Sequence, residues 1–284
     1  MTIRIAIQAK GRLSEQSLDL LDKAGIVVDD SKRKFLSQSG SFPAEILFLR
    51  DDDIPQTVAK GVADLGIVGW NEVMEREQAV DVADRLGFGT CRISLAVPKN
   101  ETYTGLTWFN GKRIATSYPN VLRKFLDEKD IDAEIDVIAG SVEIAPTVGM
   151  SDAIFDIVSS GGTLVSNGLK EVEWVVFSEA VLIAGRNLPE EKRRMLEQIK
   201  FRFSAVKDSR GKKYLLMNVP DGRLEEAVRI VPAMRSPTVL PLAQSGWSSL
   251  HTVVDADALW DKIEQLKVIG AEGILVLSVE KMVL

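Results

Sequence analysis

The chain has 284 residues, of which 45% are hydrophobic, so it can bury a sizeable core and is long enough for two or three compact units. It carries 35 Lys and Arg against 41 Asp and Glu. This mildly acidic balance argues against a nucleic-acid-binding coat, which needs a basic face, but not against a small anionic ligand. A single cysteine, Cys91, excludes an internal disulfide and favours a reducing compartment.

Strand and helix patterns alternate over the first 90 residues. Strands are predicted at 3–8, 45–49 and 64–69, and each is followed by a helical pattern. The first of these helices is expected to end at Gly25. Alternation of strands with helical crossovers predicts a largely parallel sheet that is covered by helices on both sides.

The same alternation restarts after Cys91 and predicts a second α/β lobe over 91–180. We expect helices through Phe125 and over 141–148, and strands at 92–97, 112–117, 134–138 and 152–159. A helix-rich stretch over 189–206 would rejoin the first lobe or connect it to the remainder of the chain.

A charged, glycine-containing break at 209–213 predicts a domain boundary. Beyond it the order is strand, helix, strand, strand, helix, strand. The strands are expected at 214–219, 238–242, 250–254 and 274–279, and the helices at 221–231 and 256–269. This order predicts a ferredoxin-like α+β unit over 212–284.

The chain contains one histidine, His251, in an alternating segment near the C-terminus. A Ser-His-Asp or Cys-His hydrolase would have to use it, yet no nucleophile motif accompanies it, and its count excludes a histidine-rich metal site. We interpret His251 as a half-exposed strand residue. The first ten residues are typical of a strand rather than a signal peptide, and no apolar run reaches the roughly 18 residues of a membrane span, so we expect a cytoplasmic protein.

Residues 152–169 carry the strongest functional signal. Asp152 and Asp156 lie four apart on a predicted strand, so both project from the same face. The strand leads into a Ser-Ser-Gly-Gly-Thr turn, where main-chain N–H groups are uncovered and a helix directs its positive dipole end. This pattern favours a phosphorylated sugar, with an acid that reaches ribose hydroxyls or a hydrated Mg²⁺. The alternative is an ordinary strand–turn–helix connection with a Ser or Thr N-cap.

With these features, the chain resembles the long-form ATP phosphoribosyltransferases, which open histidine biosynthesis and carry a C-terminal regulatory domain. The resemblance covers essentially the whole length. Its most specific segments are residues 10–14 (KGRLS), 64–69 (DLGIVG), 113–119 (RIATSYP), 152–169 and 236–242 (SPTVLPL).

The resemblance implies a two-lobed, periplasmic-binding-protein-like α/β core with the active site between the lobes. Lobe I would comprise 1–90 with a return segment at about 181–208, lobe II 91–180, and the regulatory domain 212–284. The enzyme, a glycosyltransferase, would join N1 of ATP to C1 of 5-phosphoribosyl 1-pyrophosphate and release pyrophosphate with Mg²⁺. Such a transfer passes through a cation-like sugar and needs positioning and charge stabilisation rather than a covalent nucleophile.

The resemblance also implies roles for individual residues. The catalytic residues would be Asp156, Glu143 and Arg12. The residues that hold phosphoribosyl pyrophosphate would be Asp152, Asp156, Ser159, Ser160, Gly161, Gly162 and Thr163, with Mg²⁺ held by Glu143 and Asp152. ATP would be bound by Lys10, Arg12, Arg50, Arg92 and Tyr118. The family often has Thr at the position of Ser160, and Ser keeps the hydroxyl. For each arginine a surface ion pair remains an alternative.

Feedback inhibition by histidine is implied as well, with the ligand bound between neighbouring C-terminal domains. The residues near it would be Asn218, Thr238, Leu240 and Gly273. The family often has an acid at the position of Asn218, and an amide there would weaken the grip on the ligand's ammonium group. Ordinary strand packing is the alternative for Thr238 and Leu240. A homo-oligomer that converts from dimer to hexamer is expected.

Two other functions stay open at this level. A sensor protein on the same two-lobed fold would bind a small anion in the cleft without catalysis. Another phosphoribosyltransferase would use a free base in place of ATP. Neither reading involves nucleic acid or a membrane.

Overall fold

The computed structural model describes residues 2–28, 35–159, 161–232 and 234–284. The chain divides into two compact units, Met1–Lys200 and Phe201–Leu284. A search of the described residues for a helix long and apolar enough to span a membrane finds none.

The elements of the first unit are strands interspersed with helices, and the last helix runs on into the second unit. In order they are β1 (Ile3–Gln8), α1 (Arg12–Lys23), β2 (Leu36–Gln38), β3 (Ala44–Leu49), α2 (Ile54–Ala59), β4 (Leu65–Gly69), α3 (Trp70–Arg76), β5 (Val80–Arg85), β6 (Cys91–Pro98), β7 (Arg113–Thr116), α4 (Pro119–Glu128), β8 (Glu134–Val137), β9 (Ala153–Val158), α5 (Gly162–Ser166), β10 (Leu169–Ser178), β11 (Ala180–Gly185) and α6 (Glu190–Ser209). Short 3-10 segments lie at Asp51–Asp53, Leu106–Phe109 and Val142–Ile144.

The first sheet has the strand order β2-β3-β1-β4-β11-β5, and with its helices we call it the first lobe. Strand β1 pairs in parallel with β3 and β4, so these three strands end at the same edge. Strands β4 and β11 are buried up to their last residues, and their sequences are almost entirely apolar, as expected for strands covered on both faces. Helix α2 packs closely on β4: a Cβ at Gly66 would lie 2.6 Å from Cγ2 of Ile54.

The second sheet has the order β10-β6-β9-β7-β8, and with its helices we call it the second lobe. Strands β7, β8 and β9 are parallel, whereas β6 pairs antiparallel with β9 and β10. Phe109 and Phe155 fill the core beside this sheet and are fully buried. The loops after β7, β8 and β9 therefore share one edge.

Each strand predicted in the first 160 residues is present, with ends shifted by at most one residue. The helix predicted over 141–148 is wrong, because only a 3-10 turn forms at Val142–Ile144. Ser141 has a positive φ of 50°, and Pro146 has no N–H for a helical bond. Strands β2, β5, β10 and β11 were not predicted; β11 brings the chain back to the first sheet, between β4 and β5.

The second unit contains an antiparallel four-stranded sheet with helices on one face. Its elements are β12 (Lys212–Pro220), α7 (Leu224–Ile230), β13 (Thr238–Pro241), β14 (Trp247–Asp255), α8 (Leu259–Val268) and β15 (Glu272–Ser278). The strand order β13-β14-β12-β15 is that of a ferredoxin-like unit, as predicted. Leu215, Met217 and Val219 alternate along β12 and are fully buried in the core under the helices. The two compact units divide inside α6, whereas the predicted break at 209–213 falls between α6 and β12.

Candidate functional site

Side chains from both lobes of the first unit meet where parallel strands end. Arg12 begins α1, directly after Gly11, whose φ of +93° turns the chain out of β1. The Arg12 guanidinium Nη2 donates to Oγ of Ser159, which follows β9 in the other sheet, at 3.3 Å. The two lobes therefore present a cation and the predicted phosphate turn to each other.

The turn after β9 owes its conformation to Gly161. This residue has a φ of +80°, lies at the N-terminal boundary of α5, and has no atom within 4 Å of the place a Cβ would take. Glycine is therefore needed here for backbone conformation rather than for space. The first N–H groups of α5, from Gly162 and Thr163, have no acceptor within the helix itself. Ser160, also predicted to bind phosphate, lies outside the described residues.

Asp156 is the half-buried acid of β9, two residues before the strand ends, and it lies opposite Ser94 of β6. Burial raises the pKa of Asp156 to about 6, although the N–H of Ile157 donates to its Oδ1 at 2.8 Å, and the negative charge of Glu143 adds to the rise. Glu143 comes from the 3-10 turn after β8, at the same edge of the sheet. This edge therefore holds two carboxylates that repel one another and favour a hydroxyl donor or a cation.

Asp152 lies at the opposite end of β9. Its Oδ2 accepts a hydrogen bond from the backbone N–H of Arg113 at 2.9 Å and pairs with that residue's guanidinium at 3.9 Å. A six-residue strand is about 20 Å long. The structure therefore does not bring Asp152 to the turn or to Glu143, because residues on one strand face need not lie at one strand end.

Arg92 of β6 is held in an ion pair. Its Nε and Nη2 donate to the two carboxylate oxygens of Glu171 at 2.5 and 2.6 Å, and its Nη1 lies 3.5 Å from the carbonyl oxygen of Ser159. The guanidinium also lies 5.2 Å from the ring centre of Trp174. Arg92 thus forms the ion pair that was its alternative and also reaches the turn, whereas its expected contact with ATP stays a prediction.

The two remaining cationic candidates follow strands of the first sheet. Lys10 is an exposed residue after β1. Arg50 follows β3, is 79% exposed at its side chain, and pairs with Asp52 at 3.3 Å. Both lie at the edge where the parallel strands of the first sheet end, on the same edge as Arg12.

Tyr118, which the resemblance assigned to ATP, is 7% exposed, and its hydroxyl is bonded within the protein. Its hydroxyl donates to Oε1 of Glu72 at 2.9 Å and accepts from Nδ2 of Asn71 at 3.1 Å. Burial and the negative charge of Glu72 raise the pKa of Tyr118. The backbone N–H of Asn71 in turn donates to Oγ of Ser178 at 3.0 Å, which ties α3 to the end of β10.

Glu75, one turn further along α3, holds the beginning of α4. Its carboxylate accepts from the backbone N–H groups of Asn120 at 3.1 Å and Val121 at 3.0 Å, and it is 3% exposed. Burial raises the pKa of Glu75. We call Asn71, Glu72, Glu75, Tyr118 and Ser178 the interlobe network. Only Tyr118 among these residues was predicted from the sequence, although polar residues directly after a buried strand, as in α3, are a usable signal.

The residues at the edge of the second sheet fit a magnesium ion that is shared with a substrate. Among the described residues, no group of three or more His, Cys, Asp or Glu side chains is arranged to hold a metal by itself. Glu143 and Asp156 supply hard carboxylate oxygens, and Mg²⁺ is commonly bound by one or two carboxylates together with substrate phosphates. The donor set matches that mode.

In the second unit, three of the four residues predicted to bind histidine form one row across the sheet. Leu240 pairs with Ser249 in register, and Ser249 pairs with Asn218. A Cβ at Gly273, whose φ is +59°, would lie 3.1 Å from Nδ2 of Asn218. Thr238 lies on the same strand as Leu240 and is exposed.

His251 lies on β14 beside Thr238 in register and is half-buried, in agreement with its interpretation as a strand residue. Its Nδ1 lies 2.9 Å from the hydroxyl of Tyr214 and its Nε2 lies 3.0 Å from Oγ of Ser249. Both ring nitrogens are thus engaged with neighbours on the sheet face that the helices do not cover.

Comparison with known families covers both units. Residues 50–205 match the family model described as ATP phosphoribosyltransferase, and residues 209–281 match the model described as HisG, C-terminal domain. Similar curated proteins are the ATP phosphoribosyltransferases of Bacteroides thetaiotaomicron, which is 59% identical with 99% of both chains covered, and Phocaeicola vulgatus, which is 58% identical with 99% of this chain and 100% of the other covered. That of Cytophaga hutchinsonii is 52% identical, with 99% and 98% covered.

Solved structures resemble the first unit. The ATP phosphoribosyl transferase (HisG:HisZ) complex from Thermotoga maritima matches with a TM-score of 0.61 and 28% identity, covering 72% of this chain and 99% of the other. A histidine kinase sensor domain with similarity to periplasmic binding proteins matches with a TM-score of 0.50 and 9% identity, over 73% and 91%. That second likeness concerns the fold alone, and it confirms a two-lobed core like that of the periplasmic binding proteins.

Proposed function

The chain belongs to the ATP phosphoribosyltransferase family, whose reaction serves histidine biosynthesis, and we propose which of its groups carry out that reaction. In the reaction, N1 of ATP forms a bond to C1 of phosphoribosyl pyrophosphate while the bond from C1 to the pyrophosphate oxygen breaks. The observation that supports our assignment most is the contact of Arg12 with Ser159. It joins the strand-end edges of two sheets, which is where α/β proteins bind ligands.

The 5-phosphate of phosphoribosyl pyrophosphate is assigned to the turn from Ser159 to Thr163, with Ser160 included on its sequence position. Main-chain N–H groups at the start of α5 and the hydroxyls of the turn would donate to the phosphate oxygens. Asp156 would accept from the ribose hydroxyls, since a carboxylate of poor solvation gains most from a donor.

The remaining residues are assigned by the charges that develop on the substrates during the reaction. As the bond to pyrophosphate lengthens, the sugar carbon becomes positive and the leaving group negative. The carboxylates of Asp156 and Glu143 favour the first charge, and Arg12 and Lys10 favour the second. Arg50 is assigned to the ATP triphosphate, because it lies exposed at the edge of the first sheet. Tyr118 is assigned to the interlobe network rather than to ATP.

Mg²⁺ is proposed as the cofactor, held by Glu143 and Asp156 together with substrate oxygens; when bound it would neutralise pyrophosphate charge. Histidine is proposed as the feedback inhibitor, with Asn218, Leu240, Gly273 and Thr238 near it, and the active protein as a homo-oligomer, dimer or hexamer. Its substrates are cytoplasmic metabolites, so we assign the protein to the cytoplasm.

The test is turnover. The full-length protein is mixed with ATP, Mg²⁺ and phosphoribosyl pyrophosphate, and both the absorbance of the N1-substituted adenine and the released pyrophosphate are followed. We expect equal amounts of the two products, with Arg12→Ala reducing kcat/KM by about 100-fold. Binding of a small anion without turnover would instead support a sensor, and turnover with adenine in place of ATP would support a different phosphoribosyltransferase.

A further inference from the structure

Glu171, on β10, is bonded more densely than a surface ion pair requires. Besides the two bonds from Arg92, its Oε1 accepts a hydrogen bond from the hydroxyl of Ser94 at 2.6 Å. Ser94 is 1% exposed and lies opposite Asp156 in the register of β6 and β9. The hydrogen bonds from Arg92 and Ser94 lower the pKa of Glu171, so it is a carboxylate at neutral pH.

These bonds fix the direction of the Arg92 guanidinium. Two of its nitrogens are bound by Glu171, one face lies against Trp174, and the third nitrogen, Nη1, is left on the side of Ser159. Arginine binds a carboxylate through a planar fork, so a bidentate pair sets the plane of the whole group. Without Glu171 the same side chain would sample several rotamers.

A cavity of about 560 Å³ lies beside this pair. Arg92, Glu171, Gly161 and Gly162 line it together with residues of α5 and the start of β10, so the cation and the glycines of the turn border one space. That volume lies within the usual range for small-molecule sites. Lys99 also lines the cavity, but its Nζ donates to the carbonyl oxygen of Val165 at 3.1 Å.

We propose that Glu171 is a positioning residue for phosphoribosyl pyrophosphate: it holds Arg92 so that the Nη1 edge of the guanidinium faces the phosphate in the turn. The proposal rests on the function assigned to that turn above. It differs from a structural role, because its effect passes through one side chain and falls on one substrate.

Glu171 could also have the opposite effect and weaken the binding of an anion. The sign of the change in KM distinguishes the two effects. A carboxylate beside Arg92 neutralises part of the positive potential that attracts an anion. If that effect prevailed, removing the charge would tighten substrate binding. If positioning prevails, removing the charge weakens it.

The experiment compares Glu171→Gln with Glu173→Gln in the full-length protein. Glu173 is a matched control on the same strand, where it accepts from the hydroxyl of Tyr103 at 2.6 Å. We expect Glu171→Gln to raise KM for phosphoribosyl pyrophosphate about tenfold while KM for ATP stays within about twofold, since weakening a hydrogen bond between charged groups costs on the order of tenfold in affinity. Glu173→Gln should leave both constants within about twofold of the unmodified protein.

A double-mutant cycle tests the route of the effect. In an Arg92→Ala background, Glu171→Gln should raise the same KM by less than about twofold, because nothing remains to be positioned. A full additional loss in that background, an unchanged KM in the single variant, or a lowered KM would each overturn the inference. Calorimetric titration with ribose 5-phosphate, whose phosphate the turn would bind, supplies a second readout: Glu171→Gln should weaken its binding, and unchanged affinity would contradict the inference. Absence of turnover in the unmodified protein would be a failure of the proposed function, which is a separate result.

Discussion

At the scale of single residues, Asp156 is proposed to bind substrate in its charged form, and that same form destabilises the folded protein. Its pKa of about 6 exceeds the ordinary 3.8, mainly because of burial. Between those values the folded protein binds more protons than the unfolded chain, so this group destabilises the fold as pH rises through that window. At pH 8 the charged carboxylate that would bind the ribose therefore lowers the free energy of unfolding.

We predict that Asp156→Asn raises the unfolding temperature at pH 8 by about 2–4 °C while it lowers kcat/KM by at least about 100-fold. The gain in stability should disappear below pH 3.8, where the carboxyl is protonated in both states. Calorimetry and the pyrophosphate assay measure the two effects. Asp136→Asn, on the neighbouring strand β8, is the control and should change neither. A variant that is less stable at pH 8 would contradict the cost assigned to the carboxylate.

Gly161 provides a second prediction at this scale. Since its φ is +80°, an Ala side chain would strain the turn by about 1 kcal/mol or force a new conformation. Gly161→Ala should raise KM for phosphoribosyl pyrophosphate more than tenfold. The changed turn would lose N–H contacts to the phosphate that are worth about a few kcal/mol, and each 1.4 kcal/mol or so corresponds to about a tenfold change in affinity. Gly149→Ala is the control, because Gly149 has a similar φ of +75° and open space around it, and this variant should lower stability without changing that KM. Equal KM values in the two variants would contradict the proposal that the turn at Gly161 binds the phosphate.

At the scale of elements, the junction of α3 and α4 is the most demanding contact between the lobes. Glu75 places a buried carboxylate at the start of α4. There the helix dipole favours negative charge, and the carboxylate accepts from two N–H groups that have no acceptor within the helix. We predict that Glu75→Ala costs about 1–3 kcal/mol, because it leaves these two buried donors unpaired. Glu75→Gln keeps an acceptor and should recover at least half of that loss. Urea unfolding compares the two, and similar losses would mean that charge rather than hydrogen bonding matters.

The local sequence pattern predicted the strands well but not the tertiary contacts between them. The strand at 153–158 and the helix after Gly161 follow from apolar alternation and from a glycine turn, which are local signals. The contact between Arg12 and Ser159 joins residues far apart in sequence, and only the resemblance suggested a common cleft. Tyr118 shows the same limit: its sequence neighbours do not reveal that Glu72 and Asn71 cover its hydroxyl.

The position of the strand ends explains why Asp152 and Asp156 lie apart. Asp152 and Asp156 share a face by spacing, yet the parallel pairing of β9 with β7 puts Asp152 beside Arg113 at the opposite edge. Glu171 was missed for a related reason. Strand β10 contains charged residues in a row that does not alternate cleanly, and it carries two register shifts against β6. Bulges of this kind remove the period-two signal that identifies a strand.

At the scale of the whole molecule, the two units are expected to communicate, since a site in the second unit would control chemistry in the first. A change confined to the proposed inhibitor site should alter the response to histidine and leave catalysis without histidine unchanged, because the site acts on catalysis only when it is occupied. Asn218 allows this to be tested: in the proposed site, an acid at this position would pair with the ammonium group of histidine.

We predict that Asn218→Asp lowers the histidine concentration for half-maximal inhibition about tenfold, since a charge-assisted bond replaces a neutral one. Values of kcat and KM measured without histidine should stay within about twofold. Asn187→Asp adds the same charge on an exposed loop of the first unit and serves as the control, with glutamine as the control ligand. Sedimentation with and without histidine follows assembly in the same samples. If Asn218→Asp leaves the response to histidine unchanged while histidine still inhibits, the inhibitor binds away from the row formed by Leu240, Ser249 and Asn218, and the second unit loses the ligand site assigned to it.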